Sequence, residues 1–173
     1  MKEAIRLYPN PLMAVLHSIL LVIGGLGVYG SVWIASRTAG ADHLSAGVVI
    51  ALLFLAAFGV GFFCCMFRVL VLTPHFVWVD LSRKEISLRS LFGLRWRIAR
   101  EDLAGYSISL YRSRVFSCEG IILYFCSGKR MELNCATIIA VRSCTTVLEA
   151  WQLPCLGEEA SWHPLPKFKY KFD

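Results

Sequence analysis

The chain has 173 residues and a formal net charge of +6; 57% of its residues are hydrophobic and only 17% are charged. That charged share is well below the roughly one quarter of ordinary soluble domains, which excludes a uniformly water-soluble chain. No Lys, Arg, Asp or Glu occurs between Arg6 and Arg37 or between Asp42 and Arg68, whereas the rest has an ordinary balance of charge. The sequence therefore predicts two membrane segments followed by one modest globular part.

Two apolar runs, at residues 12–35 and 46–67, reach the length of about 20 residues that spans a bilayer. The first run could instead be a signal peptide, but it exceeds the roughly 7–15 residues of a signal core and lacks a convincing cleavage site. The short link between the runs predicts a tight antiparallel hairpin. We therefore divide the chain into a tail with the hairpin (1–72), a soluble domain (73–156) and a C-terminal tail (157–173).

The basic residues around the hairpin predict its orientation. Lys2 and Arg6 precede the first run and Arg68 follows the second, whereas the link carries only Arg37, offset by Asp42. Because positive charge resists translocation, we expect both termini and the domain in the cytoplasm, at the inner membrane of a bacterium.

Small residues predict how the two helices pack, since lipid tails give no hydrophobic drive for helix pairing. The expected small-xxx-small pairs are Gly27 with Ser31 and Ala57 with Gly61, and the groove on the first helix is widened by Gly24, Gly25 and Gly30. His17, the only Asp, Glu, Lys, Arg or His in either run, has no acidic partner there and is expected to be structural rather than part of a proton relay.

The seven cysteines show neither a CxxC pair nor a zinc pattern. In a reducing cytoplasm they are expected to remain free and to act as small buried hydrophobes. Cys64 and Cys65, near the inner end of the second run, could alternatively be acylated in a eukaryotic host.

After Pro74 the apolar pattern takes the period of two that is typical of strands. In the stretch 94–98, Leu94, Trp96 and Ile98 are expected to point inward, and Arg95 and Arg97 outward. Strands are expected at residues 76–81, 85–91, 94–98, 106–112, 120–126 and 130–134. An amphipathic helix at 137–153 follows. The predicted fold is a membrane α-helical hairpin plus an α+β domain, in which a bent antiparallel sheet or partly open barrel is closed by one C-terminal amphipathic helix.

The segments LTPHFVWVDL (72–81) and RWRIAREDLAGYSI (95–108), behind two membrane helices, resemble the bacterial pleckstrin-homology-like (PH-like) domains of small inner-membrane proteins. In that pattern a basic or aromatic strand is followed by a short acidic segment and then by a hydrophobic residue. The corresponding residues in this sequence are Trp96, Ile98, Glu101, Asp102 and Leu103. The resemblance implies a PH-like fold and a scaffold that binds proteins, peptides or lipid headgroups. It supplies no active-site residues.

No hydrolase, zinc-protease, phosphate-loop or dinucleotide motif is present, so we expect no catalytic residue, metal or cofactor and no enzymatic activity. Arg68, Arg95 and Arg97 are candidates for contact with membrane lipids or with a partner, since a Lys or Arg near an anionic leaflet contributes about 1 kcal/mol. Nucleic acid is not expected, because a long basic run with exposed stacking aromatics is missing.

The C-terminal tail alternates lysines with aromatic residues: Lys167, Phe168, Lys169, Tyr170, Lys171 and Phe172. At a period of two this gives one cationic and one aromatic face. The tail could add a strand to a sheet edge in its own domain or in a partner, lie at the membrane interface, or be disordered.

Two main functions agree with these features. The first is a non-enzymatic, membrane-anchored interaction module whose PH-like domain binds a protein partner or a second copy at the cytoplasmic face, as an immunity protein or an accessory subunit of an envelope complex. The alternative is a protein that senses anionic lipids. A membrane enzyme that uses Cys64 or Cys65 is a third hypothesis.

Overall fold

The structure, a computed structural model, describes residues 4–38, 46–112, 117–161 and 170–172. Two long helices, α1 (Pro11–Thr38) and α2 (Ala46–Phe67), contain 28 and 22 residues. At a rise of about 1.5 Å per residue they measure about 42 and 33 Å, which is enough to cross a hydrocarbon core of about 30 Å. Both are apolar enough to qualify as candidate membrane spans. The predicted pair of long apolar helices is present.

The two helices pack antiparallel, and glycines make the close approach possible. A Cβ atom added at Gly24 would lie 3.1 Å from the Phe62 ring, and one added at Gly59 would lie 3.2 Å from the Val28 side chain. The expected contribution of Gly24 is confirmed. The expected Ala57–Gly61 pair is wrong, because these residues lie on the side of α2 opposite Gly59, and a Cβ at Gly61 would meet nothing within 4 Å.

The first sheet has the spatial order β1 (Ala4–Leu7), β2 (Phe76–Asp80), β3 (Glu85–Arg89), β4 (Arg95–Ala99), and all neighbours are antiparallel. The strand β1 precedes α1, yet it pairs with β2, which follows α2. Both ends of the hairpin therefore continue into one sheet and lie side by side. Between α2 and β2 lies a π-helical segment of five residues, Arg68–Leu72, in which Val69 and Leu70 are buried.

The second sheet has the spatial order β7 (Arg130–Leu133), β6 (Ser117–Phe125), β5 (Leu103–Arg112), β8 (Cys155–Ala160). The six expected strands are all present in the two sheets. Unlike the expected all-antiparallel arrangement, β8 pairs parallel to β5. It lies at the free edge of β5, whereas the sequence predicted only a C-terminal helix that closes an open end of the sheet. Within the described residues the two sheets do not form a closed barrel.

The expected helix over residues 137–153 is wrong in most of its length. Only α3 (Cys144–Ala150) is α-helical, preceded by a 3-10 turn. The Asn134 side chain accepts the N–H of Ala136 at 2.7 Å and so holds the preceding segment in turns. Ala140 then adopts a left-handed conformation with φ of 55°, which a continuous right-handed helix does not allow.

One apolar core lies between the sheets and α3. Inward side chains of the first sheet, such as Val77, Ile86 and Ile98, meet Tyr106 and Leu123 of the second. Leu94 was expected to join them, but it lies in the turn before β4 and is exposed. Trp96 does pack against this core, as expected.

Cys118 and Cys135 form a disulfide, contrary to the expectation that all cysteines are free. The antiparallel register of β6 and β7, in which Ile121 faces Leu133, brings these two cysteines to a Cα–Cα distance of 6.0 Å. Only Cys144 is a buried free thiol, and burial raises its pKa to about 12, so it stays protonated. A disulfide persists in oxidising compartments and not in reducing ones, so the redox state of this pair bears on the compartment in which the domain lies.

Two histidines meet where the hairpin enters the domain. His17 of α1 is buried, and His75, between α2 and β2, is 1% exposed. The Nδ1 atom of His75 lies 2.9 Å from the Thr73 carbonyl oxygen, which requires that this nitrogen carries the proton. Burial, more than the nearby His17, lowers the pKa of His75 below its ordinary value; the bond to Thr73 opposes this shift only in part.

Acidification is therefore expected to destabilise the fold through His75. Because the pKa of His75 is lower in the folded state, the unfolded chain binds more protons below the ordinary value of 6.5. The free energy of unfolding should fall as the pH decreases through that value. A His75→Asn variant keeps a donor for Thr73 but does not titrate, so its unfolding free energy should change less between about pH 8 and pH 5. Chemical unfolding of both proteins over this range checks this, and equal slopes would contradict it.

Candidate functional site

The outward face of the first sheet carries four arginines and two aromatic side chains. Successive side chains of a strand point to opposite sides, so the buried inward set fixes the outward set. The strand register aligns one row across all four strands: Arg6, Trp78, Ser87 and Arg97. The adjoining row, toward the helices, contains Phe76, Arg89 and Arg95. We call the set Arg6, Phe76, Trp78, Arg89, Arg95 and Arg97 the arginine–aromatic face.

The aromatic part of this face is ordered by ring stacking. Phe76 and Trp78 have ring centroids 5.7 Å apart and an interplanar angle of 5°. Beside Trp78 lies a cavity of about 230 Å³ whose lining includes Arg89, Arg95 and Arg97. The face therefore presents a flat apolar wall next to cations, a combination that suits carboxylate-bearing or phosphate-bearing ligands.

Acidic side chains on this face are confined to the row farthest from the helices, where Asp80 pairs with Glu85 across β2 and β3. Asp80 accepts hydrogen bonds within its own turn, above all from the Ser82 hydroxyl, and these lower its pKa. Glu85 lies 3.8 Å from Arg97, whose side chain is 82% exposed, so water weakens this ion pair. Among the described residues, the other three arginines of the face form no ion pair. The charge near the helices is thus positive.

Arg95 and Arg97 lie on the outward face, as expected, and the register joins them to Arg6 and Arg89, which sequence reasoning did not select. The missed signal is the short alternation in β1, where Ile5 and Leu7 flank Arg6.

Arg68, the third candidate, lies elsewhere. It lines a cavity of about 190 Å³ beside Arg130, Glu132 and Tyr170. The Arg130 guanidinium lies 5.4 Å from the centre of the Tyr170 ring. Burial raises the pKa of Tyr170, whereas Arg68 acts in the opposite direction. The structure therefore brings Arg68 and Tyr170 together at the junction of hairpin and domain, away from Arg95 and Arg97.

The last described residues of the tail pack on their own domain. The backbone N–H of Lys171 donates to Glu159 Oε2 at 3.1 Å, and its side-chain Nζ donates to the Glu158 carbonyl oxygen at 3.1 Å. The Phe172 ring meets that of Tyr124 edge to face, at a centroid distance of 6.3 Å. Tyr170, Lys171 and Phe172 form a turn region and no strand. Lys167, Phe168 and Lys169 lie outside the described residues.

The tail residues dock against a buried carboxylate that sequence reasoning missed. Glu159 is only 6% exposed. Its Oε1 atom accepts hydrogen bonds from the Ser107 hydroxyl at 2.5 Å and from the Tyr124 hydroxyl. Burial, and then the bond to Glu159, raise the pKa of Tyr124, so this hydroxyl remains a donor. In the sequence Glu159 is one of two adjacent acids near the tail, with no sign that one of them is buried.

Comparison of the chain with protein-family models, with curated proteins and with solved structures finds no match in any of the three.

In the part of the chain that the structure describes, no group of three or more His, Cys, Asp and Glu side chains could hold a metal ion. A further cavity of about 620 Å³ is lined in part by Glu119 and Arg142, which form an ion pair at 2.5 Å. Function is therefore inferred from the geometry of the surfaces.

Proposed function

We propose that the protein is a non-enzymatic, membrane-anchored interaction module, and that its arginine–aromatic face binds an acidic region of a partner protein. One observation carries this proposal: the strand register gathers four arginines and a stacked aromatic pair on one side of the first sheet. Arginine and aromatic side chains are the residues most enriched in the energetically dominant parts of protein interfaces.

The shape of the face favours a protein over a small molecule. Four strands spaced about 4.8 Å apart make it about 14 Å wide. Its cavity of about 230 Å³ is smaller than the roughly 300–1,000 Å³ of a typical small-molecule pocket. Guanidinium groups bind carboxylates through paired hydrogen bonds, so an acidic peptide segment laid across the strands would engage several arginines at once.

We further propose that the domain has a PH-like fold and lies in the cytoplasm at the inner membrane. It would serve in immunity or as an accessory subunit of an envelope complex. Two sheets with a helix after the last antiparallel strand support the PH-like assignment, although β8 follows that helix. The basic flanks of the hairpin support the cytoplasmic side. The Cys118–Cys135 disulfide is evidence against the cytoplasmic side, because disulfides persist in oxidising compartments.

Charge reversal on the face tests the proposal. Full-length protein with Arg95→Glu and Arg97→Glu is purified from its own membranes in mild detergent, and bound proteins are quantified by mass spectrometry. The matched control is Lys84→Glu with Lys129→Glu, which changes the net charge equally at two exposed positions outside the face. We expect the amount of partner bound to the face variant to fall about tenfold or more, which corresponds to a loss of binding free energy of about 1.4 kcal/mol or more. The control should bind as much partner as wild type. Retention by the face variant, or equal loss in the control, would contradict the proposal.

The alternative, sensing of anionic lipids, is favoured by the position of Arg89 and Arg95 in the row nearest the helices. If wild-type protein retains only copies of itself and acidic lipids, and the face variant loses the lipids, this alternative replaces the protein partner.

A further inference from the structure

In the described part of the domain, the exposed large apolar side chains lie at the end that faces the helices. Outside α1 and α2, the described residues include five of them: Tyr8, Leu72, Phe92, Leu94 and Ile139. We call this set the apolar rim. Phe92, the most exposed, has 67% of its surface accessible. Apolar side chains scattered singly over a surface need no explanation, but a set confined to one end marks a contact surface.

Three members of the apolar rim adjoin the helices directly. Tyr8 lies between β1 and α1, and the N–H of Ile139 donates to its carbonyl oxygen at 3.0 Å. Leu72 ends the π-helical segment that continues α2. Leu12, four positions after Tyr8, is 75% exposed and begins the apolar surface of α1. The rim therefore adjoins the apolar surface of the candidate spans, with Pro9, Asn10 and Pro11 between Tyr8 and Leu12.

The other two members lie in the turn between β3 and β4. Since β3 runs antiparallel to β2, this turn lies at the end where β2 begins, close to the helices. The N–H of His75, just before β2, donates to the Arg89 carbonyl oxygen at 2.8 Å and fixes that proximity. The chain from Leu72 to Phe76 spans four residues, at most about 14 Å. Phe92 and Leu94 thus lie near the exit of α2.

The turn is held by hydrogen bonds and is flanked by cations. Ser90 holds it through three hydrogen bonds: its N–H donates to the Leu94 carbonyl at 2.9 Å, its carbonyl accepts the Gly93 N–H at 3.2 Å, and its hydroxyl accepts the Leu94 N–H at 3.1 Å. Gly93 has φ of 91°, which favours glycine. Arg89 and Arg95, both exposed, stand on either side of the turn.

We propose that the apolar rim inserts into the headgroup region of the bilayer that holds α1 and α2, with Arg89 and Arg95 at lipid phosphates. Apolar tips flanked by basic residues have the composition of segments that lie in the membrane interface. The membrane is the occupant because the rim lies at the end of the domain that both candidate spans enter, next to their exposed apolar side chains. This contact holds the domain at a fixed height and direction. It rests on the membrane anchoring of the proposed function and shares Arg89 and Arg95 with the arginine–aromatic face, so that Arg6 and Arg97 remain for a partner.

The test places a nitroxide label at Phe92→Cys in full-length protein, with Cys64, Cys65, Cys126 and Cys155 replaced by serine. The protein is reconstituted singly into nanodiscs of phosphatidylcholine and phosphatidylglycerol, so that neither a partner nor a second copy can cover the label. Relaxation by oxygen, which enriches in lipid, is compared with relaxation by a water-soluble nickel chelate. The control label is Ser82→Cys, an exposed position in the turn at the opposite end of the same sheet.

We expect a severalfold higher ratio of oxygen to nickel relaxation at position 92 than at position 82. Equal ratios at the two positions would overturn the proposal. Adding Arg89→Gln and Arg95→Gln to the Phe92→Cys protein should lower the ratio at position 92; an unchanged ratio would overturn the role of the arginines. Both labelled positions are exposed, so neither label disturbs the core.

Discussion

Replacing Glu159 with alanine should lower the free energy of unfolding by about 3 kcal/mol. The substitution leaves the Ser107 and Tyr124 hydroxyls buried without their acceptor, and each buried unsatisfied donor costs about 1–3 kcal/mol. Chemical unfolding of the full-length protein in detergent, followed by tryptophan fluorescence, measures the change. The exposed neighbour Glu158 provides the control, because Glu158→Ala removes a side chain that is open to water. A loss as large in Glu158→Ala would contradict the assignment.

The Glu159→Gln variant separates tail docking from stability. Its carbonyl oxygen can still accept from Ser107 and Tyr124, but its amide group then faces the Lys171 N–H, and two donors cannot bond each other. Stability should fall by only about 1 kcal/mol, while the chain end is released. Trypsin should then cleave after Lys171 faster than in wild type or in Glu158→Gln, as followed by intact mass. Wild-type cleavage rates in Glu159→Gln would show that this bond does not hold the tail.

The elements that the sequence predicted correctly are those whose pattern is local. The helices α1 and α2 follow from charge-free apolar runs, and β2 to β7 follow from alternation between turn residues. The strands β1 and β8 depend on partners far along the chain: β1 pairs across the whole hairpin, and β8 lies beside β5. Four or six residues with mixed polarity carry no signal strong enough to indicate such pairing.

The error in the C-terminal helix has the same origin. The spacing of Ile138, Val141, Cys144 and Leu148 suits a helix, and all four side chains are buried. Ile138, however, forms a bridge with Pro9, just before α1, and so belongs to the packing of the N-terminal segment. A contact over that separation overrides helical periodicity, and the helix begins only at Cys144.

The sequence predicted which way the arginines of β4 point, but not which other residues share their face. Alternation in β4 places Arg95 and Arg97 outward, and the structure agrees. That Arg6 joins the same row depends on the β1–β2 register, which the sequence does not reveal. Arg68 was grouped with these residues by charge alone, and only the packing of the π-helical segment shows that it faces Tyr170 instead.

Leucine at Gly24 or Gly59 should disrupt the hairpin, whereas leucine at Gly61 should be tolerated. A Cβ at Gly24 would already lie 3.2 Å from the Phe63 backbone nitrogen, and one at Gly59 would lie 3.2 Å from that of Val28. Backbone cannot yield as a flexible side chain does, so the helices must separate, at a cost of about 2–3 kcal/mol. Gly61 has open space around its Cβ position and is the matched control.

The damage should extend into the domain, because α1 and α2 enter neighbouring strands of one sheet. Only three residues separate Leu7 of β1 from Pro11 of α1. A helix that is pushed aside must therefore pull on the β1–β2 pair, in which Arg6 faces Trp78. Hydrogen exchange of the β1 amides should accelerate in Gly24→Leu and Gly59→Leu and stay unchanged in Gly61→Leu. Slow exchange in all three would mean that the sheet holds β1 independently of the hairpin, and that the arginine–aromatic face does not depend on how the helices pack.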